Sequence, residues 1–116
     1  MIIAIVGSRE YPNLKRVWEY LDRELVANQQ FRLVTGGARG VDTEAERWAL
    51  ARGIGCEVIK PVDPRIKVHY LYRNIEIITT ADKIVAFHDG TSRGTQFVID
   101  YATKRNKPLE VVGIGE

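Results

Sequence analysis

The chain has 116 residues, of which 45% are hydrophobic and 28% charged, a composition typical of one globular domain. Seventeen Lys and Arg residues against fifteen Asp and Glu residues give a net charge of only +2, which argues against a general electrostatic coat for nucleic acid or anionic membrane. The single Cys56 excludes an internal disulfide and a multi-cysteine metal site. The apolar run at residues 1–6 is too short for a signal peptide or a membrane span, so we expect a cytoplasmic protein without a membrane partner.

Five short apolar runs, rich in β-branched residues, predict buried β-strands at residues 2–6, 31–34, 56–59, 83–87 and 109–112. Helical spacing of apolar residues predicts a helix between each pair of successive strands. The first helix follows Pro12 and Asn13, a turn and N-cap signal, and the second opens near Asp42 and ends at Gly53 or Gly55. Several registers of residues 68–78 fit the third helix, and the fourth runs from about residue 95 to residue 105.

This alternation of strands and helices predicts an α/β fold with right-handed crossovers and helices on both faces of a parallel sheet. The expected architecture is a Rossmann-like (flavodoxin-like) three-layer sandwich around a five-stranded sheet, for which we assume the common strand order 3-2-1-4-5. The five strand–helix units use residues 1–116 as a single domain. We therefore expect that full enclosure of a ligand would require a second copy of the chain.

Glycine-rich loops follow predicted strands 1, 2 and 4, where an open parallel sheet binds its ligands, and they hold six of the ten glycines. Glycine lets the backbone approach a ligand, and each loop leads into a helix N-terminus, which favours anions. Hydroxyl and guanidinium groups in these loops, including the hydroxyl of Thr35, add donors for phosphate oxygens. The sequence therefore predicts a phosphate-bearing ligand, and the alternative is that the glycines only serve tight turns. The residues predicted to bind the ligand are Gly7, Ser8, Arg9, Gly36, Gly37, Ala38, Arg39, Gly40, Asp42, Asp89, Gly90, Ser92, Arg93, Gly94 and Thr95.

Two carboxylates in these loops allow more than one interpretation. Asp42 is either an N-cap carboxylate or an acceptor for ligand hydroxyls, and Asp89 carries the same ambiguity. The loops contain neither the standard dinucleotide fingerprint nor a P-loop, so triphosphate hydrolysis is unsupported. His69 and His88 are isolated and are interpreted as ordinary imidazoles, and no residue spacing suggests a metal or another cofactor.

Four segments, residues 4–9, 36–42, 72–74 and 89–95, resemble the SLOG superfamily, and most closely its YspA/YpsA-related members. The resemblance covers nearly the whole chain. It implies a nucleotide-binding domain in which Arg73 and Asn74 face the pocket. The superfamily includes the LOG enzymes, which cleave the base from a cytokinin riboside monophosphate, the DNA-processing protein A family, which binds single-stranded DNA, and domains proposed to sense nucleotide-derived signals.

Three functions follow from this resemblance. The first is binding, or sensing, of a nucleotide or nucleotide-derived phosphate. The second is hydrolysis or transfer at an N-glycosidic bond, but Val98 stands where the LOG motif has its catalytic glutamate, so the acid would come from Asp42, Glu44 or Asp89. The third is single-stranded DNA binding, which ranks last because the candidate stacking residues Tyr70, Tyr72 and Phe87 are not clearly on one exposed face. Apolar residues at helix surfaces also favour a homo-oligomer, a dimer or larger, through Trp18, Trp48, Phe97, Val98, Tyr101 and Ala102.

Overall fold

The computed structural model describes residues 1–28 and 30–115. Strands and helices alternate in the order β1 (Ile2–Gly7), α1 (Lys15–Ala27), β2 (Arg32–Thr35), α2 (Val41–Arg52), β3 (Cys56–Val58), α3 (Lys67–Thr80), β4 (Lys83–Phe87), α4 (Arg93–Lys104) and β5 (Leu109–Val112). The strands pair in parallel, in the order β3-β2-β1-β4-β5. The predicted Rossmann-like α/β fold and its strand order are therefore confirmed.

The two faces of the sheet carry separate apolar cores, because alternate strand residues point to opposite faces. On one face α1 and α2 cover Ile3 and Ile5, and Trp48 stacks on Phe31 with ring centroids 6.1 Å apart. On the other face α3 and α4 cover Ala4. Burial of each large apolar side chain contributes about 1.5–3 kcal/mol, so these two layers account for most of the stabilisation of the sandwich.

The helix ends differ in detail from the sequence prediction. The expected Asn13 cap is wrong: α1 begins at Lys15, its N-cap position is Leu14, and the Asn13 backbone carbonyl accepts the Arg16 N–H at 3.1 Å. At the other end of the chain, α4 begins two residues earlier than predicted, because the Ser92 hydroxyl caps it by accepting the Thr95 N–H at 3.3 Å. A side chain therefore caps the start of α4, whereas α1 begins without a side-chain cap.

Parallel strands end at the same edge of the sheet, so the loops after β1, β2 and β4 meet. Gly7 ends β1 against the first residue of α2, and a Cβ atom at Gly7 would lie only 2.5 Å from the Val41 Cβ. Glycine is required there by this close packing. The fold thus holds the end of β1 tightly against α2 and leaves a depression beside it. Within the described residues, no helix is long and apolar enough to cross a membrane.

Candidate functional site

A cleft of about 460 Å³ lies at the carboxyl edge of the sheet, between the loops after β1, β2 and β4 and one side of α3. Its volume is in the range of small-molecule sites. The floor is apolar and includes Val6, Ile77 and Val98. Twelve of the residues predicted to contact a ligand line this cleft, namely Gly7, Arg9, Gly36, Ala38, Arg39, Asp42, Arg73, Asn74, Asp89, Ser92, Gly94 and Thr95.

Other predicted ligand residues lie outside the lining of the cleft and support its loops. The Ser8 hydroxyl is buried, lies 3.2 Å from the Thr95 Oγ1 and accepts the Asp89 N–H at 3.1 Å. Gly40 and Gly90 adopt positive φ angles of 84° and 95°, a backbone conformation that glycine accepts readily in the turns of these loops. Gly37 and Arg93 also lie outside the lining.

Two further side chains do not reach the cleft. The Glu44 carboxylate is held by α1, since its Oε1 accepts the Trp18 Nε1–H at 3.0 Å. Its Oε2 lies 3.4 Å from Arg47 Nη1. Thr35 is completely buried beneath the loop that follows β2. The structure therefore brings Asp42 and Asp89 into the cleft and leaves the third candidate acid, Glu44, outside it.

Asp42 organises the glycine-rich loop between β2 and α2. Its side chain is only 4% exposed, and its Oδ2 accepts the N–H groups of Gly36 at 2.9 Å and Ala38 at 3.4 Å. The expectation of an N-cap carboxylate is wrong, because Gly40 occupies the N-cap position and α2 has no side-chain cap. Burial raises the pKa of Asp42 to about 6, against the opposing effect of the two N–H donors. The Asp42 carboxylate therefore binds the backbone N–H groups of Gly36 and Ala38, two residues that were predicted to bind phosphate.

Arg73 projects from α3 into the cleft lining, as the resemblance implied, but its donors bind backbone and a neighbouring side chain. Its Nη1 donates to the carbonyl of Gly36 and, at 3.5 Å, to that of Ile59. Its Nε donates to the Asn74 Oδ1 at 2.8 Å. Burial lowers the pKa of Arg73 from its ordinary value, although the Asp42 carboxylate opposes this change. Arg73 therefore ties α3 to the loop after β2 and places positive charge beside the cleft.

The N-terminus of α4 forms the opposite wall. The Asp89 Oδ1 accepts the N–H groups of Thr91 and Ser92, each at 2.9 Å, and these bonds hold the loop and lower the pKa of Asp89. Gly94 lies in the first turn of α4 and lines the cleft, and a Cβ atom there would meet no atom within 4 Å. The first N–H groups of a helix lack intrahelical acceptors and carry a partial positive charge. The approach to this turn is open, so it is the wall best suited to an anion.

The rim of the cleft carries charged side chains. Arg39 Nη2 and Glu10 Oε1 are 2.5 Å apart, and both side chains are more than 70% exposed. Arg9 is exposed, lines the cleft and has no hydrogen-bond or ion-pair partner among residues 1–28 and 30–115. Sequence reasoning missed Glu10 and Tyr70 as cleft residues. Tyr70 lies three positions before Arg73 on one face of α3, and that spacing was the signal that could have found it.

The two histidines have local partners and do not line the cleft. His69 Nδ1 accepts the Asp63 N–H at 3.0 Å. His88 Nε2 lies 3.0 Å from the Gln96 Oε1. Over the described part of the chain, no group of three His, Cys, Asp or Glu side chains is placed to hold a metal ion.

Comparison with known proteins agrees with this architecture. The model of the YspA, cpYpsA-related SLOG family matches residues 1–63. The Gene 61 protein of Mycobacterium phage D29 is 34% identical over 115 residues, with 92% of each chain covered.

Two solved structures of DNA processing protein A are also similar. That of Helicobacter pylori, described for its single-stranded DNA binding mode, has a TM-score of 0.77 and 27% identity and covers 96% of this chain. That of Streptococcus pneumoniae has a TM-score of 0.73 and 19% identity and covers 94% of this chain. The chain spans 64% of the Helicobacter protein and 49% of the Streptococcus protein, so the likeness concerns one part of each.

Proposed function

Because the chain belongs to the YspA, cpYpsA-related SLOG family and carries an open cleft at the switch point of its sheet, we propose that it binds, as a sensor, a nucleotide or nucleotide-derived phosphate. One observation carries the proposal. The first turn of α4 at Gly94 faces open space, and the exposed cation Arg9 lines the same cleft. A helix N-terminus with a nearby guanidinium favours a phosphate group.

The charges of the cleft suggest how such a ligand is oriented. Asp42 occupies the Gly36 and Ala38 donors of the loop after β2, whereas Asp89 binds the N–H groups of Thr91 and Ser92, which precede the first turn of α4. We therefore place the phosphate at the N–H groups of that first turn. The apolar floor at Val6 and Val98 suits the base or the carbon face of the sugar. Sugar hydroxyls then lie within the reach of carboxylate acceptors, which matches the sequence-based interpretation of Asp42 as an acceptor.

Calorimetry with AMP, adenosine, nucleoside diphosphates and ADP-ribose tests this function. We expect the phosphorylated compounds to bind and adenosine to bind at least roughly tenfold more weakly, a difference of about 1.4 kcal/mol. The variant Gly94→Val should weaken binding of the phosphorylated compounds by the same factor, because its side chain adds bulk to the cleft wall from a position where a Cβ meets no atom within 4 Å. The control is Gly55→Ala, whose added Cβ would lie an ordinary 3.7 Å from Arg32.

The control should bind like the natural protein. If no phosphorylated compound binds at millimolar concentration, or if Gly94→Val binds as tightly as the natural chain, the proposal is contradicted. A melting temperature for each variant separates loss of binding from loss of folding.

The N-glycosidic alternative is tested in the same samples by assaying release of free base. Val98 lines the cleft and has no proton to exchange, whereas Asp42 is a buried carboxyl whose pKa of about 6 suits a general acid. Base release that is abolished in Asp42→Asn would support catalysis. Binding without base release supports a sensor.

A second candidate function, single-stranded DNA binding, is supported by the 27% identity to the Helicobacter pylori protein over 96% of this chain. Of the possible stacking residues, Phe87 is completely buried, whereas Tyr72 is 60% exposed. Fluorescence anisotropy with a labelled oligothymidylate tests this function. Binding that weakens steeply with salt and is reduced by Tyr72→Leu supports it, because phosphate neutralisation and stacking dominate such complexes.

We also propose that the protein forms a homo-oligomer. Phe97 and Tyr101 are half-buried on α4 with ring centroids 5.7 Å apart, and Trp18 is half-buried on α1. By contrast, Trp48, Val98 and Ala102 pack in the cores, so they do not contribute to such a surface. Light scattering that gives the mass of one chain at micromolar concentration would rule out a stable dimer.

A further inference from the structure

A smaller recess of about 320 Å³ adjoins the cleft beside the loop between β3 and α3. The two depressions share lining residues, including Arg9, Tyr70 and Arg73. The recess adds Lys60, Pro61 and Pro64. The recess therefore adjoins the cleft along these shared residues, next to a ligand bound in the cleft.

The charge of the recess differs from that of the cleft. The cleft is lined by the acids Glu10, Asp42 and Asp89, which offset its arginines. No Asp or Glu among the described residues lines the recess, whereas Lys60 lines the recess only and Arg9 lines both depressions. Neither of these cations has a hydrogen-bond or ion-pair partner in residues 1–28 and 30–115. The recess is the more favourable of the two depressions for an anionic group.

The walls of the recess are fixed by contacts within the protein. The Tyr70 hydroxyl donates to the Pro64 carbonyl at 2.9 Å, and the Arg73 guanidinium lies 5.5 Å from the centre of the Tyr70 ring. Lys60 runs along the glycine-rich loop, with its Cε 3.6 Å from the position that a Cβ of Gly37 would take. The wall formed by Tyr70 and Arg73 is preformed, which lowers the ordering cost of binding an anion, whereas the exposed Arg9 and Lys60 side chains become ordered when the anion binds.

We propose that this recess binds a second phosphate group, so that the ligand of this protein carries two phosphate groups in one molecule rather than one. The inference rests on the proposed function, because the first phosphate is the one placed at α4. A pyrophosphate-linked compound and a phosphodiester-linked compound share this chemistry. The first places the two phosphates side by side, and the second separates them by a sugar.

Calorimetry with three probes tests the inference: AMP, ADP-ribose and a 5′-phosphorylated diadenylate. At least one of the two-phosphate probes should bind about two- to fivefold more tightly than AMP, the gain expected for an exposed charge pair. Lys60→Gln should remove that gain and leave the affinity for AMP unchanged. Lys104→Gln is the matched control, because Lys104 is an exposed lysine in the last turn of α4.

The outcomes separate the two proposals. Preference for ADP-ribose identifies a pyrophosphate ligand, and preference for the diadenylate identifies a phosphodiester ligand. If AMP binds as tightly as both larger probes, or if Lys60→Gln leaves their advantage intact, the second phosphate site is refuted and the proposed function stands. If no probe binds, both proposals fail.

Discussion

Replacing Asp42 with asparagine should change how the stability of the protein depends on pH. The carboxyl is 4% exposed, and burial raises its pKa from 3.8 to about 6. A folded-state pKa above the unfolded value means that the folded protein holds the proton more tightly. The carboxyl thus contributes stability that is fully present below pH 3.8 and is lost as pH rises through about 6. A shift of about two units corresponds to about 3 kcal/mol.

Urea denaturation of the natural protein and of Asp42→Asn at intervals from pH 3.5 to pH 7.5 measures this effect. We expect the free energy of unfolding of the natural protein, minus that of the variant, to fall by up to about 3 kcal/mol across that range. Asp89→Asn is the comparison, because backbone N–H donors lower the pKa of Asp89 and its contribution is instead lost as pH falls. A difference for Asp42 that is constant or rises with pH would refute the account of its burial.

Three further substitutions test the packing and the charges of the site. Gly7→Ala should destabilise the protein by about 2 kcal/mol in urea denaturation, since the added Cβ would lie 2.5 Å from Val41, and a variant of natural stability contradicts this packing. Arg73→Gln should cost about 1–3 kcal/mol, because it removes the donors to the Gly36 and Ile59 carbonyls, and a neutral result in the same assay would show that water replaces them. Glu10→Gln should tighten AMP binding about two- to fivefold at low salt by releasing Arg39, with little change in stability, and weaker binding in calorimetry would show that the ion pair supports the site.

The fold could be predicted because its signals are local and repeated. The β-branched runs that became β1 and β4 are bounded by turn residues, and their alternation with helices leaves few topologies. The Gly53 end of α2 was among the predicted positions, and its φ of 70° is the backbone conformation that glycine accepts readily. The helix starts were predicted less well: α1 begins without a side-chain cap, and the Ser92 cap places the start of α4 two residues before the predicted position.

The site was predicted at the level of loops and less well at the level of donors and acceptors. The role of Asp42 depends on the path of the backbone at Gly36 and Ala38, and a sequence pattern does not give the direction of those N–H groups. Glu44 is only two residues from Asp42 in the chain but binds Trp18 on α1. The directions of the Asp42 and Glu44 side chains, both in the first turn of α2, determine which of them reaches the cleft. These directions follow from tertiary packing.

The proposed function requires a phosphate group to bind at the first turn of α4. A ¹⁵N NMR titration measures it directly, with AMP and adenosine compared at equal concentrations. We expect AMP to shift the amide signals of Arg93 and Gly94 in a saturable way and adenosine to shift them much less. Equal shifts with both compounds, or saturable AMP shifts confined to residues outside the cleft, would contradict it.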